Sequence, residues 1–190
     1  MRQGLASFVL LLVFTALPAL AVPRSYALQA DASTVAFAWD FGEDEIRGNM
    51  PVARADLQID FQAVANSKVN VDVDVTEAEA GFPFASQAMK GPKVLDAKKF
   101  PQIHFVSTAV RKTDSGAAID GMITVRGVTR PMTFDARIYR QAGTDPNDLS
   151  QLTILLTGAL NRSEFGANGW STLAGDQVRL QITANIRQAG

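Results

Sequence analysis

The chain has 190 residues, with 18 Lys and Arg against 19 Asp and Glu, one His and no Cys. This length suits one domain with one core, and the mix of 47% apolar and 19% charged residues is typical of a globular protein. The formal net charge of -1 argues against a nucleic-acid-binding surface, and the lack of Cys excludes disulfide scaffolds, thiolate metal sites and thiol catalysis.

Residues 1–21 have the features of a secretory signal peptide. Arg2 precedes an uninterrupted apolar stretch from Phe8 to Phe14, and Ala19-Leu20-Ala21 forms a small-x-small cleavage site. The alternative is a retained membrane anchor, but the apolar run is shorter than the ~20 residues that a spanning helix needs. The sequence therefore predicts export to the periplasm, with residues 22–190 as the mature domain.

From Tyr26 onward, apolar residues recur at every second position. The clearest run is 68–75, in which four Val alternate with polar residues. Such a run buries one face only when it is extended, because a helix would scatter the Val around its axis. Eight or nine short strands are predicted, and the other runs of this kind are 35–39, 57–61, 103–105, 119–125, 132–138, 152–156 and 178–186.

Short turns join these predicted strands. Asp114-Ser115-Gly116, Arg126-Gly127 and Asp145-Pro146-Asn147 are turn signals, and no helical pattern separates the strands, which favours antiparallel hairpins. An antiparallel sheet of this size must close or stack to protect its edges. We predict an all-β fold whose antiparallel strands form a barrel, and a barrel of eight strands has an interior just wide enough for side chains or one small or elongated ligand. Its apolar interior selects an apolar guest, with space left by small residues: Ala36, Ala38, Ala136 and Ala184.

One segment lacks this alternation. It predicts a short helical insertion around residues 82–97, broken at Gly91-Pro92. Phe82-Pro83-Phe84 and Met89 are apolar side chains on this otherwise polar insertion, as expected of a lid over a barrel mouth. Its lysines are either a solvated surface or a contact for anionic head groups of a membrane: Lys90, Lys93, Lys98 and Lys99.

Three stretches resemble the YceI family of exported, lipocalin-like bacterial proteins. Residues 89–107 (MKGPKVLDAKKFPQIHFVS) are similar to its F-x-D-A segment that ends in P-x-I-x-F-x-S, and residues 121–134 (GMITVRGVTRPMTF) to its G-x-L-T-x-x-G-V-T segment. The third stretch is NRSEFG at 161–166, followed by GDQVRL at 175–180. The resemblance implies an extended, lipocalin-like, eight-stranded antiparallel β-barrel. It also implies that this barrel holds a polyisoprenoid chain, a quinone or a related amphiphile, and it implies no catalysis.

The chain departs from the family pattern at three positions. Ala32 and Asp40 stand where many members have His, and Leu95 stands where Phe is common. Any contact that those imidazoles make with a head group or a metal therefore does not carry over to this chain.

The titratable residues give no candidate active site. His104 is the only imidazole, so it offers a metal a single ligand and is predicted to be a surface or interface residue. Asp72 and Asp74 alternate with Val on the predicted solvent face, and residues 43–45 are predicted to be a solvated loop. Ser163 has no triad to join. We predict no catalytic residue, no metal site, no cofactor and no enzymatic activity.

The predicted function is that of an exported carrier with an isoprenoid lipid or quinone-like amphiphile in its cavity. The alternative is a non-enzymatic structural or interaction protein of the cell envelope with a filled barrel. Predicted partners are the apolar lipid and, transiently, a membrane surface, but no nucleic acid, and a homodimer is left open. The predicted ligand-binding residues are Phe37, Trp39, Phe82, Phe84, Met89, Phe105, Phe134 and Arg162, the last also a candidate clamp of the barrel rim.

Overall fold

The computed structural model describes residues 23–140 and 143–189. The predicted signal peptide, residues 1–21, lies outside the described residues, so its cleavage stays a prediction. The strands are β1 (Arg24–Leu28), β2 (Thr34–Phe41), β3 (Asp44–Met50), β4 (Val52–Ile59), β5 (Lys68–Asp74), β6 (Glu79–Ala80), β7 (Gln102–Thr113), β8 (Gly116–Val125), β9 (Val128–Arg140), β10 (Gln151–Asn161) and β11 (Gln177–Gln188), and the α-helix is α1 (Pro83–Lys90).

Eight of these strands close into an antiparallel barrel. They follow the order β1-β4-β5-β7-β8-β9-β10-β11, and β11 pairs back onto β1. On this side, β11 pairs with two strands along its length. Ile186 near its end pairs with Leu28 of β1, and Leu180 nearer its start pairs with Phe37 of β2. Strands β2, β3 and β6 therefore extend the sheet beyond the closed ring at one end. The predicted eight-stranded antiparallel barrel is confirmed.

One predicted loop is a strand. Of residues 43–45, only Glu43 lies in the turn, because β3 begins at Asp44. The physical reason is pairing with β2, in which Asp40 lies opposite Glu45 and Phe41 opposite Asp44, and alternation does not reveal it. Arg179 on β11 donates to the carboxylates of Asp40 on β2 and Glu45 on β3, at 2.7 Å each, and so ties three strands together. Arg179 also lowers the pKa of the Asp40 carboxyl, mainly through its hydrogen bond.

The predicted helical insertion contains α1. Pro83 at its start has its φ angle already set for a helix and needs no N–H partner there, and Gly91 follows its last residue. Ala85 and Met89 lie four residues apart on one helix face and are buried against Phe37 and Met50. Within the described part of the chain, no helix has the length and apolar character that a membrane span requires.

The outer wall carries a buried carboxylate where a solvated one was expected. Asp72 alternates with inward-facing Val, as predicted, but it is only 9% exposed because Arg54 and His104 from the neighbouring strands cover it. His104 Nδ1 lies 2.7 Å from one Asp72 oxygen, and Arg54 donates to the other at 2.8 Å. These two hydrogen bonds, that of His104 first, lower the pKa of the Asp72 carboxyl. His104 is a half-exposed surface residue that joins β5 and β7.

Candidate functional site

The barrel encloses a cavity of about 370 Å³. This volume lies in the range of small-molecule sites in proteins. Alternate residues of the barrel strands line it, as expected when successive side chains of a strand point to opposite faces. Among the described residues of its wall, the polar side chains are Ser67 and Arg162, and both are partnered: Ser67 accepts the Asp60 N–H at 3.0 Å, and Arg162 donates to carbonyl oxygens. The cavity thus offers an almost wholly apolar wall.

The inward-facing side chains do not fill the barrel. Along β5, the Val residues that point into the barrel stay partly accessible, whereas Asp72 on the outer face is buried. Core side chains of a filled barrel would lose nearly all of their accessible surface. The partly accessible residues of the wall include Val69, Val71, Val73, Ile154, Leu156, Leu180, Ile182 and Ala184. The accessible area belongs to an interior space and not to a packed core.

Glycines on neighbouring strands give the large rings room along the wall. A Cβ at Gly48 would lie 2.4 Å from the Phe37 ring, and one at Gly121 would lie 2.5 Å from the Phe105 ring. Gly158 faces the Phe134 ring in the same way, at 3.0 Å. Each ring therefore occupies the space that a side chain on the next strand would otherwise take. This arrangement places aromatic surface on the wall and leaves the centre open.

The structure brings all eight predicted ligand-binding residues to this one cavity. Phe37 and Trp39 on β2 stack with centroids 5.8 Å apart, and Phe105 on β7 meets Phe134 on β9 edge-on at 5.1 Å. The remaining four lie at one end: Phe82, Phe84 and Met89 in the helical insertion and Arg162 after β10. Their contact with a ligand stays a prediction.

The cavity opens beside α1 and the 162–176 connection, which joins β10 to β11. Arg162 organises this connection: it is 9% exposed, and its guanidinium donates to four backbone carbonyls, those of Ala167, Gly169, Ala174 and Gly175. Among the described carboxylates, none forms an ion pair with it. The sequence offered two roles for Arg162, ligand binding and clamping of the barrel rim. These hydrogen bonds make it a rim clamp.

The predicted space-making alanines and the predicted set of cavity residues each need a correction. Ala36 and Ala38 do not create interior space, because they alternate with Val35, Phe37 and Trp39, which face inward; Ala136 and Ala184 do line the cavity. Trp170 and Leu173 also line it and were missed. Both are large apolar side chains on a polar connection, the same signal that pointed to Phe82 and Met89.

Titratable side chains are scarce among the described residues of the wall. Arg162 is its charged member, and four of its five N–H donors are engaged with carbonyl oxygens. In the part of the chain that the structure describes, no group of three or more His, Asp or Glu could hold a metal ion. The site can enclose an apolar group, and the free energy of that contact depends on the apolar area that is buried.

A closed eight-stranded antiparallel barrel around an apolar cavity places this chain among the lipocalin-like barrels. The family model for the YceI-like domain matches residues 26–186, which include all eleven strands but for the ends of β1 and β11. The chain belongs to the YceI family.

Curated relatives match the chain over part of their length. It is 34% identical to a UPF0312 protein of Pseudomonas putida strain GB-1 over 104 residues, which are 54% of each chain. It is also 34% identical to a UPF0312 protein of Yersinia pestis strain Pestoides F over 82 residues, 43% of this chain and 42% of the relative. These alignments thus span about half the length of the relatives.

Solved structures share the fold. BcnA of Burkholderia cenocepacia has a TM-score of 0.74 at 17% identity, with 84% of this chain and 99% of that chain covered. A Saccharophagus degradans domain, described as polyisoprenoid-binding and implicated in plant cell wall breakdown, has a TM-score of 0.61 at 9% identity, with coverage of 87% and 99%. The YceI protein of Campylobacter jejuni gives 0.61 at 15% identity over both full chains.

Proposed function

We propose that this protein is an exported, non-enzymatic carrier that holds an isoprenoid lipid or a quinone-like amphiphile in its barrel. The unfilled apolar cavity is the observation that carries the proposal. Inward-facing Val, Ile and Leu side chains keep accessible surface there, and such surface gains free energy when a hydrocarbon covers it.

The apolar wall explains why a long tail is the suitable ligand. Burying hydrocarbon is worth about 0.8 kcal/mol per CH₂, so one five-carbon isoprene unit contributes up to about 3–4 kcal/mol. Several units in a dry barrel therefore compete with their burial in a membrane. The head group needs only one or two polar contacts for orientation, and Arg162 at the mouth is the group in the wall that favours an acceptor oxygen.

One fold neighbour supports the same class of ligand. The Saccharophagus degradans domain is described as binding polyisoprenoids, and it shares the fold of this chain at 9% sequence identity. Likeness of fold alone is an analogy, so the argument for this chain depends on its own cavity.

The alternative function, a structural or interaction protein of the cell envelope, requires a filled barrel, and the observed cavity speaks against it. A homodimer is compatible with either function. An enzyme acting on a lipid would need two or more converging titratable groups, and the described wall supplies Arg162 and Ser67 as its polar side chains. Carriage needs no such groups.

The test is lipid extraction from protein purified from its native envelope. We expect mass spectrometry of the organic extract to show a long-chain isoprenoid or quinone, and the mass of the intact protein to show loss of residues 1–21. Ile182→Trp places an indole ring in the lumen and is expected to abolish co-purification of the lipid. Gln181→Trp is the matched control, because residue 181 faces outward on the same strand and is exposed.

An empty wild-type barrel under these conditions would contradict carriage. Equal lipid in the Ile182→Trp and Gln181→Trp proteins would also contradict it, because the lipid would then be bound outside the cavity.

A further inference from the structure

Large apolar side chains are exposed around the mouth of the cavity. The mouth rim consists of Phe82, Phe84, Trp170 and Leu173, which are 48%, 62%, 50% and 51% exposed. All four also line the cavity, so apolar surface runs without a break from the lumen to the outside. Contiguous exposed apolar surface of this kind marks a contact with a partner or a membrane.

The exposure of Trp170 is imposed by the structure around it. Its backbone has φ +59, a left-handed conformation that is rare for a bulky residue and is held only by strong surrounding constraints. Arg162 supplies such constraints by donating to the Gly169 and Ala174 carbonyls on either side. The Trp170 carbonyl accepts the Ala174 N–H at 2.7 Å. The indole is thus presented at the mouth and does not fold into the lumen.

The two sides of the mouth form one surface. The Phe84 ring from α1 meets the Trp170 ring edge-on, with centroids 6.3 Å apart. Gly169 donates its N–H to the Lys93 carbonyl at 2.8 Å, which places the exposed Lys93 beside the rim.

The same segment is strongly basic. Residues 82–101 contain four Lys and one Asp, a net charge of +3, whereas the whole chain has a net charge of -1. Glu43 in the β2–β3 turn and Asp44 at the start of β3 lie near Leu173, whose carbonyl accepts the Gly42 N–H at 2.9 Å. The positive charge therefore belongs to the α1 side of the mouth, where it complements anionic head groups.

We infer that the mouth rim docks the protein on the surface of an anionic phospholipid bilayer, with Trp170 and Phe84 at head-group depth and Lys93 facing the phosphates. Indole rings favour this depth, and an apolar path from bilayer to cavity lets a tail move without crossing water. The inference depends on the proposed carriage of a lipid.

The chain has two Trp, Trp39 in the cavity and Trp170 on the rim, and each can be made the sole emitter. The Trp39→Phe protein is titrated with phosphatidylcholine vesicles that contain phosphatidylglycerol. Docking shifts Trp170 emission to shorter wavelength, and brominated lipids quench it. Trp170→Ser with Leu173→Ser is expected to weaken vesicle binding, measured by co-sedimentation, about tenfold or more, because it removes the inserted apolar surface.

Matched controls test apolar surface and charge separately. Val106→Ser with Met122→Gln removes exposed apolar side chains from the outer wall and keeps vesicle binding unchanged. Lys93→Gln with Lys98→Gln removes the preference for anionic vesicles, whereas Lys68→Gln with Lys112→Gln, at the opposite end of the barrel, retains it.

Trp170 emission that does not shift at saturating vesicle concentration overturns the inference. Self-association without lipid that depends on the mouth rim also overturns it, because the rim would then bind a second copy of the chain. The Trp170→Phe protein separates this failure from failure of carriage. Its Trp39 emission responds to farnesol if the cavity binds an isoprenoid, whether or not the rim binds vesicles.

Discussion

Arg162 is a charged side chain in the wall of an apolar cavity, and its hydrogen bonds explain its presence there. The guanidinium donates to four carbonyls of the connection that it begins, so each donation also satisfies an acceptor near the cavity mouth. The sequence pattern around it, Asn161 to Gly166, indicated a rim clamp or a head-group contact. The structure establishes the clamp, and the head-group contact remains part of the proposed function.

Arg162→Met keeps an unbranched apolar stem in place of the aliphatic part of the side chain and removes its donors. We expect the free energy of unfolding to fall by about 2–4 kcal/mol, because buried carbonyls lose charged donors. Urea denaturation measures the change. Arg130→Met is the control, since Arg130 is exposed and, among the described residues, donates to the carbonyl of Thr129 beside it and to no other. Equal losses in the two variants would contradict the role of Arg162.

At the scale of strands, the pairing of glycines with rings shapes the cavity. Gly48, Gly121 and Gly158 each face a phenyl ring on an adjacent strand, so the ring takes the place of a second side chain. Alternation predicted which rings point inward. It could not predict which glycine lies beside each ring. That depends on which strands pair and in which register, here β2 with β3, β7 with β8 and β9 with β10.

Two alanine substitutions test this arrangement. At Gly121, a new Cβ would lie 2.5 Å from the Val106 carbonyl oxygen, which is part of the backbone and cannot move aside. Gly121→Ala is therefore expected to cost about 1–3 kcal/mol in unfolding free energy. For Gly158→Ala, the three atoms nearest to the new Cβ all belong to side chains, the first being the flexible end of Met132 at 2.9 Å, so this substitution should cost clearly less. Urea unfolding of both variants compares them, and a reversed order would count against the observed register.

At the scale of the whole molecule, closure of the sheet creates the cavity. Strand β1 is only five residues long, yet it joins β4 to β11 and completes the ring of hydrogen bonds. Barrel closure removes two exposed sheet edges and encloses apolar surface that no side chain covers. A ligand that covers this surface should therefore stabilise the entire fold.

Farnesol, a short isoprenoid alcohol, is expected to raise the thermal unfolding temperature. A ligand of the native state, at a concentration one hundred times its dissociation constant, adds about 2.7 kcal/mol to the free energy of unfolding. This corresponds to a rise in unfolding temperature of roughly 5–10 °C for a domain of this size. Circular dichroism during heating measures the shift. The Ile182→Trp protein should show none, and an equal shift in that protein would place farnesol outside the lumen.

The period of the strands, the helical insertion and the inward direction of the rings on the strands could be read from the sequence alone, because side-chain direction along a strand depends only on local geometry. It also indicated the family, through residues 89–107 and 121–134. Tertiary structure decided the rest. The burial of Asp72 depends on Arg54 and His104 from other strands, and the exposure of Trp170 depends on Arg162. Whether the barrel is hollow depends on how rings and glycines from distant segments meet, which no local pattern contains.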